Sequence, residues 1–338
     1  MTPPPAASSL PTDEAAAPRL KRVLVTGATG YVGSRLIPEL LEHGHIVLAA
    51  SRSESGTADY PWDDEVETRE MDVSDPTQVA AAVKDVDAVI YLVHSMDVGD
   101  FARKDRQAAE DMASACTEAG VRRVIYLSGL VPNGELSEHL RSRQEVEQVL
   151  LDAPVPAIVL RASMVIGAGS TSYELLKRLS DRVPLLTPVP AWMRSRIQPI
   201  AVEDVVHLIV CALQAPDMNT HLDVGGPDVL TYPELLATYA DVAGLRRRRF
   251  LVPGLPTRLV GRACAAIAQM PVAEVVTLIA SLRHDMVCGN DQFRHELLEP
   301  DYALVGVEEA LRRSLAPDTG SGTSHRGDVQ AAAATDPA

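Results

Sequence analysis

A glycine-rich loop between a strand and a helix constrains this chain more than any other feature. The run Val23–Gly27 (VLVTG) predicts a buried strand, and the apolar spacing of Tyr31–His43 predicts a helix. In such a loop one glycine permits a tight turn, a second lets the backbone approach a pyrophosphate, and a third lets the helix pack on the strand. The N–H groups of the helix N-terminus add a partial positive charge. We therefore predict a dinucleotide site, rather than a purely structural turn, at Gly27, Thr29, Gly30, Tyr31, Val32 and Gly33.

The N-terminal half repeats this alternation of strand and helix. Further strand-like runs are His45–Ser51, Val66–Met71, Ala88–Val93, Arg123–Ser128 and Pro156–Ala162. Short β-branched runs that alternate with amphipathic helices predict a parallel sheet covered on both faces. After Ala162 the pattern becomes mainly helical. The predicted fold class is therefore α/β, a Rossmann-type doubly wound parallel sheet with a smaller, mainly helical C-terminal cap.

Four regions follow from this change of pattern. We expect a disordered lead-in over residues 1–20 and an NAD(P)-binding Rossmann domain over residues 21–162. The remaining sheet elements and a substrate-binding cap are expected over residues 163–315, and a disordered tail over residues 316–338. Within the third region, Thr231 and Glu234 form a capping-box pattern that predicts a helix to about Val242.

The charge balance excludes some classes of partner. The chain carries 31 basic and 46 acidic residues, a net charge of −15, and only 4% of its residues are aromatic. We therefore expect no nucleic-acid partner, and an anionic lipid surface is not expected as a general partner. Four consecutive arginines, Arg246–Arg249, run against this trend as a local patch that is either solvated or faces an anion.

Three features that the sequence lacks bear on where the protein is located and on whether it binds a metal. It has no run of about 18 apolar residues, so no membrane span is expected. The N-terminal residues lack the apolar run of a signal peptide. The four cysteines lie far apart and have no metal-ligand spacing. We expect a cytoplasmic protein without a metal site, whose partner is a small-molecule substrate.

Six motifs occur in a recognisable order. They are TGATGYVG (Thr26–Gly33), MDVSD (Met71–Asp75), YLVHSM (Tyr91–Met96), IYLSGL (Ile125–Leu130), RASMVIGAGS (Arg161–Ser170) and QPIAVEDV (Gln198–Val205). This set resembles the extended and atypical short-chain dehydrogenase/reductase superfamily, with its epimerase/dehydratase-like and NmrA-like members and the nucleotide-binding accessory subunit of respiratory complex I. The resemblance implies cofactor contacts from Asp72, Val73, Leu92, Val93 and His94.

The end of the second strand bears on which dinucleotide is bound. It reads Ala50-Ser51-Arg52-Ser53 and lacks the acid that accepts hydrogen bonds from the adenosine ribose in NAD-preferring sites. Arg52 could pair with a 2′-phosphate, and Ser51 or Ser53 could add a hydroxyl. NADP(H) is therefore the favoured cofactor. NAD(H) is the alternative, if Arg52 only stacks on the adenine. Asp72 either reads the adenine edge or caps the next helix.

The catalytic position departs from the superfamily pattern, which pairs a serine or threonine after strand five with a YxxxK motif on the next helix. Ser128 matches the first group, but the helix carries His139 and Arg143 instead of the tyrosine and lysine. These two lie one turn apart and can face the nicotinamide together. If so, Ser128 polarises the substrate oxygen, His139 delivers a proton and Arg143 orients the ribose. The alternative is a solvated pair on the outer helix face.

A literal YxxxK occurs at Tyr173–Lys177, after the sixth strand, where the superfamily pair does not lie. We expect Tyr173 and Met164 to line a substrate pocket instead. Two hypotheses of function follow. One is an NAD(P)H-binding oxidoreductase that reduces a carbonyl or enone of a small organic substrate. The other, favoured by the missing tyrosine–lysine pair, is a non-catalytic dinucleotide-sensing or assembly protein.

Overall fold

The structure, a computed structural model, describes residues 21–53, 55–94, 101–132, 136–183, 186–246, 248–316 and 328–336. The strands in these residues are β1 (Arg22–Thr26), β2 (Ile46–Ser51), β3 (Glu67–Glu70), β4 (Ala88–Tyr91), β5 (Arg123–Gly129), β6 (Ala157–Ala162), β7 (Val165–Ile166), β8 (Leu186–Pro190), β9 (Arg196–Ile197), β10 (Ile200–Ala201), β11 (Thr220–Val224), β12 (Leu230–Thr231) and β13 (Arg248–Val252).

The helices in the same residues cover the sheet and build the cap. They are α1 (Tyr31–Glu42), α2 (Pro76–Ala82), α3 (Phe101–Ala119), α4 (Glu138–Asp152), α5 (Thr171–Arg182), α6 (Val202–Gln214), α7 (Tyr232–Val242), α8 (Thr257–Ala268), α9 (Val272–Ser281), α10 (Gln292–Glu296) and α11 (Val307–Ser314). The predicted capping box is present, because the Thr231 and Glu234 side chains each bond the other residue's backbone N–H at the start of α7.

Seven strands form the central sheet in the order β11-β6-β5-β4-β1-β2-β3, and all six neighbouring pairs are parallel. The chain moves outward from β1 to β3, returns to the other side of β1 at β4, and continues to β11. The strand order therefore reverses between β1 and β4, which is where open α/β sheets bind ligands. The Rossmann-type fold is confirmed. Six of the seven strands are predicted from the sequence, and β11 is the seventh.

Apolar side chains hold helices to both faces of the sheet, because every inner strand presents buried residues on both sides. Leu36 and Leu40 of α1 and Leu208 of α6 pack on one face. Met112 of α3 and Val146 of α4 pack on the other. All four residues of β4 are buried, as expected for a strand covered on two faces.

Helices α5, α7, α8 and α9 form a smaller apolar assembly at the carboxyl end of the sheet. Leu176 of α5 and Leu235 of α7 belong to one cluster, and Leu175 of α5 packs with Ala265 of α8 and Ile279 of α9 in another. Because β11 lies beyond the predicted division at residue 162 and yet pairs with β6, the third region, residues 163–315, contributes to the sheet as well as to the cap.

The C-terminal segment differs from the predicted disordered tail. Residues 328–336 pack against the body of the protein, and Gln330 is fully buried, with Nε2 donating to the Ile166 carbonyl. The prediction of disorder rested on the small and polar residues of this segment. Such a composition does not show that buried polar groups of the Rossmann half bond to residues 328–336. The predicted lead-in 1–20, residues 317–327 and residues 337–338 lie outside the described residues. Within the described part of the chain, no helix combines the length and apolarity that a membrane crossing needs.

Candidate active site

A cleft with a volume of about 1590 Å³ runs along the carboxyl ends of the central strands. The loops that follow β1 to β6 border it. Every residue predicted to contact the cofactor lines this cleft, as do Ser128, His139, Arg143 and Met164. Tyr173 is the one predicted site residue that does not line it. Apart from Tyr173, the predicted site residues thus meet in one place, although they are spread over about 140 residues of chain.

The loop after β1 has the shape that a bound phosphate requires. Gly27 has a positive φ of 66°, and the Gly30 N–H donates to the Gly27 carbonyl at 2.9 Å. A Cβ on Gly33 would lie 2.2 Å from the Gly27 oxygen, so this glycine is required for the helix to pack on the loop. A Cβ on Gly30 would meet only that oxygen, at 3.1 Å, because Gly30 otherwise faces the open cleft.

The N-terminus of α1 is open to an anion. Gly30 is the N-cap residue, so no side chain caps the helix, and no acidic residue lies in its first turn. The backbone N–H groups and the helix dipole are therefore available to a pyrophosphate. The glycine loop and the uncapped N-terminus of α1 therefore fit the dinucleotide predicted from the sequence.

The side chain of Tyr31 turns away from the phosphate position. Its ring lies under the Arg35 guanidinium at 4.2 Å, and a Cβ on Gly167 would collide with its hydroxyl at 2.0 Å. Burial raises the pKa of the Tyr31 hydroxyl. Any cofactor contact from Tyr31 is therefore expected mainly from its backbone. The side chain instead packs α1 against the loop that follows β7.

Arg52 and Asp72 line the cleft where the sequence predicts the adenosine of the cofactor. Arg52 is exposed, and its charge contributes to holding the pKa of Asp72 below its usual range, after the hydrogen bonds from Ser74. Asp72 Oδ1 accepts from the Ser74 N–H at 2.9 Å and from the Ser74 hydroxyl at 2.6 Å. The helix-capping alternative for Asp72 is wrong, because Asp75 caps α2 by accepting from the Thr77 N–H.

His94, His139 and Arg143 meet at the opposite end, beyond β4 and β5. The two imidazole rings are 6.1 Å apart between centroids, nearly edge to face. Arg143 Nε donates to His139 Nε2 at 3.3 Å, and Arg143 Nη1 donates to the Leu127 carbonyl at 3.1 Å. His139 and Arg143 line the cleft, so the alternative of a solvated pair on the outer helix face is wrong.

The electrostatics of this cluster keep both imidazoles neutral. Burial, with a further contribution from Arg143, lowers the pKa of His139 to about 4. The Arg143 charge, burial and His139 together hold the pKa of His94 well below its usual range. Since Arg143 donates to Nε2 of His139, we assign the proton of the neutral ring to Nδ1. His139 therefore has one N–H group with which to donate a hydrogen bond.

Ser128 lies at the end of β5, on the side of the sheet that α4 covers. It is 3% exposed, and its hydroxyl approaches that of Tyr126 without a well-formed hydrogen bond. A buried hydroxyl without a partner carries a desolvation cost that a ligand oxygen can relieve. The cluster therefore combines an unsatisfied hydroxyl, a neutral imidazole and a guanidinium at one end of the cleft.

Tyr173 and Arg161 contact other protein side chains and do not line the cleft. Tyr173 is fully buried and packs edge to face against Tyr239, with 6.4 Å between centroids, so its predicted place in the substrate pocket is wrong. On α5 the tyrosine faces the core of the cap, while Leu175 and Leu179 reach the cleft. Arg161, the first residue of the motif RASMVIGAGS, forms an ion pair with the buried Glu147.

An apolar wall, which the sequence analysis did not identify, forms the rest of the cleft. Its side chains come from α5, α7, α8, α9 and the segments between them, and include Leu179, Val189, Leu235, Leu255, Val260, Ile279, Leu282 and Met286. The one sequence feature that could have indicated this wall is the high apolar content of residues Leu255–Ile279. Periodicity alone could not decide whether these residues face a core, a ligand or solvent.

Comparison with known proteins finds a family match over the residues that build most of the polar half of the cleft. A family profile described as NAD(P)H-binding matches residues 27–178, from the phosphate loop into α5. Residues 27–178 are an NAD(P)H-binding domain. The ceramide reductase of Caulobacter vibrioides (strain NA1000 / CB15N) is 27% identical over 237 residues, which cover 68% of this chain and 73% of that protein.

Two solved structures share the fold of this NAD(P)H-binding protein. The Citrobacter sp. triphenylmethane reductase complexed with NADP(H) has a TM-score of 0.70 at 15% identity, covering 87% of this chain and 100% of that chain. A nucleoside-diphosphate-sugar epimerase from Staphylococcus aureus has a TM-score of 0.69 at 16% identity, covering 86% and 99%. The predicted NAD(P)H-binding domain is confirmed, the two solved structures share its fold, and relatives of this protein include reductases.

Proposed function

We propose that this protein is an NADP(H)-dependent reductase that acts on a carbonyl or enone group of an apolar organic substrate. The observation that carries the proposal is the cluster of Ser128, His139 and Arg143 in a cleft that joins the NAD(P)H-binding loop to an apolar wall. NADPH, when bound, would supply a hydride to the substrate carbon. The apolar wall would hold the substrate and exclude water from the site.

The three side chains are suited to stabilise negative charge on the substrate oxygen. Ser128 has a buried hydroxyl to donate, and neutral His139 has its Nδ1–H. Arg143 is held by the Leu127 carbonyl and contributes a fixed positive charge. Such preorganised donors act on the charge that develops during hydride transfer. With a pKa of about 4, His139 is a poor source of a proton at pH 7, so the proton that completes the alcohol would come from water.

Support for NADP(H) over NAD(H) comes from the adenosine end. The carboxyl end of β2 has no acid to repel a 2′-phosphate, and Arg52 is exposed at the cleft. Asp72, the acid beside it, already accepts two hydrogen bonds from Ser74. A cation at this position recognises the extra phosphate through charge-assisted hydrogen bonds.

A second candidate is a protein that binds the dinucleotide without turnover, as a sensor or an assembly factor. The observation in its favour is that α4 carries His139 and Arg143 where the superfamily has the catalytic tyrosine and lysine. A guanidinium does not give up its proton, so the pair cannot reproduce the usual proton shuttle.

The test is NADPH oxidation by the full chain with a panel of carbonyls, enones and quinones that includes long-chain apolar members. We expect His139→Ala to lower turnover about 100-fold and to leave NADPH affinity nearly unchanged. Arg143→Ala should lower turnover and also weaken NADPH binding. Arg141→Ala is the matched control, because Arg141 is exposed on the same helix outside the cleft. NADPH binding without turnover across the whole panel would favour the second candidate.

The pH profile separates two roles for His139. If the neutral ring donates a hydrogen bond, reductive turnover is flat between about pH 6 and 8, because the pKa of about 4 keeps the ring neutral throughout. If the imidazolium were the proton donor, turnover would fall about tenfold for each pH unit above that pKa. A steep decline that His139→Ala removes would contradict the neutral role.

A further inference from the structure

The segment that contains β13, α8 and the start of α9 holds most of the exposed large apolar side chains in the described part of the chain. Of the seven large hydrophobic residues that are exposed in the described part of the chain, five lie between positions 250 and 272: Phe250, Leu251, Leu259, Ile267 and Val272. Leu259 is 61% exposed, and Val272 is 52% exposed. Scattered exposed apolar residues are ordinary, but a group confined to one segment indicates an interaction surface.

Helix α8 arranges part of this group on one face. Leu259, Ala263, Ala266 and Ile267 are exposed at helical spacing, while Gly261, Ala265 and Ala268 are buried on the opposite side. Gly261 lets α9 approach closely, because a Cβ there would lie 2.9 Å from the Val276 side chain. The inner face of α8 is therefore occupied by α9, and the outer face remains apolar toward solvent. We call this outer face of α8 the cap surface.

The charge of the same segment is opposite to that of the whole chain. Residues 246–283 contain seven arginines and one acidic residue, a net charge of +6, in a chain of net charge −15. Arg258 and Arg262 are exposed one turn apart on α8, beside Leu259, and Arg283 is exposed after α9. No ion pair with another described residue engages Arg258 or Arg262.

The cap surface is continuous with the apolar wall of the cleft. Leu259 and Ile267 are exposed on the surface and also line the cleft, together with Leu255, Val260 and Cys264. A molecule that leaves an apolar phase at the cap surface could therefore reach the interior along apolar side chains. This arrangement argues for a partner that is itself apolar inside and anionic at its surface.

We infer that the cap surface docks on an anionic phospholipid bilayer, with Leu259 and its neighbours in the interfacial region and Arg258 and Arg262 at the headgroups. An amphipathic helix with an apolar face and arginines beside it binds such interfaces through apolar burial and attraction to anionic lipid. The expectation that an anionic lipid surface is not a general partner concerned the whole chain. At the cap surface the local charge is positive, so an anionic lipid surface is expected as a partner there. Docking does not depend on turnover, so it can be tested whether or not the proposed function is correct.

The experiment is flotation of the full chain with vesicles of equal parts phosphatidylcholine and phosphatidylglycerol, and with vesicles of phosphatidylcholine alone. We expect binding to the anionic vesicles that is at least tenfold stronger than to the neutral ones and that weakens with added salt. Leu259→Asp and the double variant Arg258→Glu/Arg262→Glu should each reduce binding at least tenfold. The double arginine variant should retain wild-type NADPH affinity, and Leu259→Asp should retain the wild-type circular dichroism spectrum, since each readout reports an intact fold.

Matched controls come from exposed residues away from the cap surface. Val229→Asp changes an apolar residue that is 46% exposed, and Arg106→Glu reverses an exposed charge on α3. Both should bind vesicles like the wild-type protein. Absence of wild-type binding to anionic vesicles, or equal binding by the Leu259 and arginine variants, would overturn the inference. It would also be overturned if the wild-type chain sedimented as a dimer that Leu259→Asp dissociates, since a second copy would then be the partner.

Discussion

The two halves of the cleft are built by different means. The NAD(P)H-binding half consists of loops at the ends of β1 to β5, and backbone groups such as those of Gly27 and Gly30 define its shape. The apolar half consists of side chains from helices that pack together only in the cap. A backbone-built site depends on a few glycines at fixed spacing, whereas a side-chain-built site tolerates many sequences. This explains why the first half matches a family profile and why the substrate is harder to infer.

The largest effect is expected from a side chain that fills the phosphate position. Gly30→Val should reduce NADPH affinity more than 100-fold, because the valine methyl groups would occupy the space where the pyrophosphate approaches. Calorimetry or NADPH fluorescence measures the affinity, and circular dichroism measures the fold.

Gly306→Val is the matched control for this variant. Gly306 is the N-cap residue of α11, with φ −70° and ψ 156°, close to the −78° and 169° of Gly30. A Cβ at Gly306 would also meet one oxygen, at 3.3 Å, and Gly306 lies outside the cleft. Near-normal affinity in Gly30→Val, or equal losses in both variants, would contradict the role of the loop.

A second effect tests how the NAD(P)H-binding half is held in place. Arg35 of α1 is buried, and its guanidinium forms two hydrogen bonds to Asp336, at 2.6 and 2.8 Å, and further bonds to the Val329, Ala168 and Ala331 carbonyls. Asp336→Ala leaves this buried charge without its counterion, which typically costs about 3–5 kcal/mol of stability. Urea denaturation measures the free energy of unfolding.

Glu309→Ala provides the comparison for that measurement. It removes the Arg312–Glu309 ion pair, which is exposed on α11, so no measurable change in the free energy of unfolding is expected. An equally small change in Asp336→Ala would show that residues 328–336 do not anchor α1.

The smallest of the three effects concerns cofactor choice. Arg52→Asp should shift the ratio of the dissociation constants for NADPH and NADH about 10- to 150-fold toward NADH, because an acid repels the 2′-phosphate and accepts from a free 2′-hydroxyl. Lys84→Asp makes the same change of charge at an exposed residue outside the cleft and should leave the ratio unchanged. Equal binding of NADH and NADPH by the wild-type protein would show that Arg52 does not select the cofactor.

The sequence was sufficient to predict six of the seven strands and the phosphate loop, because each depends on local spacing, whereas it left open whether His139 and Arg143 face the cleft or solvent. The strands are short apolar runs, and the loop needs glycine at positions such as Gly33 for steric reasons. His139 and Arg143 lie one turn apart on the same helix. These features are visible in a single stretch of residues.

Features that depend on tertiary packing were not predictable in the same way. Tyr173 and Leu175 lie on one helix, and only the packing of α5 against α7 and α8 decides which of them reaches the cleft. The segment around Gln330 has the composition of a disordered tail, but it satisfies a buried arginine that lies about 290 residues earlier. Helix α8 has an apolar outer face that composition alone does not distinguish from a core face.

The most direct test of the proposed function is deuteride transfer from NADPH deuterated at the nicotinamide C4 position to a carbonyl or enone substrate, followed by mass spectrometry of the product. We predict one deuterium at the reduced carbon with the wild-type protein, and a rate about 100-fold lower with His139→Ala. The Arg141→Ala control should match the wild-type rate. If NADPH binds but no deuterium enters any member of a panel that includes long-chain apolar carbonyls, the protein is not the proposed reductase.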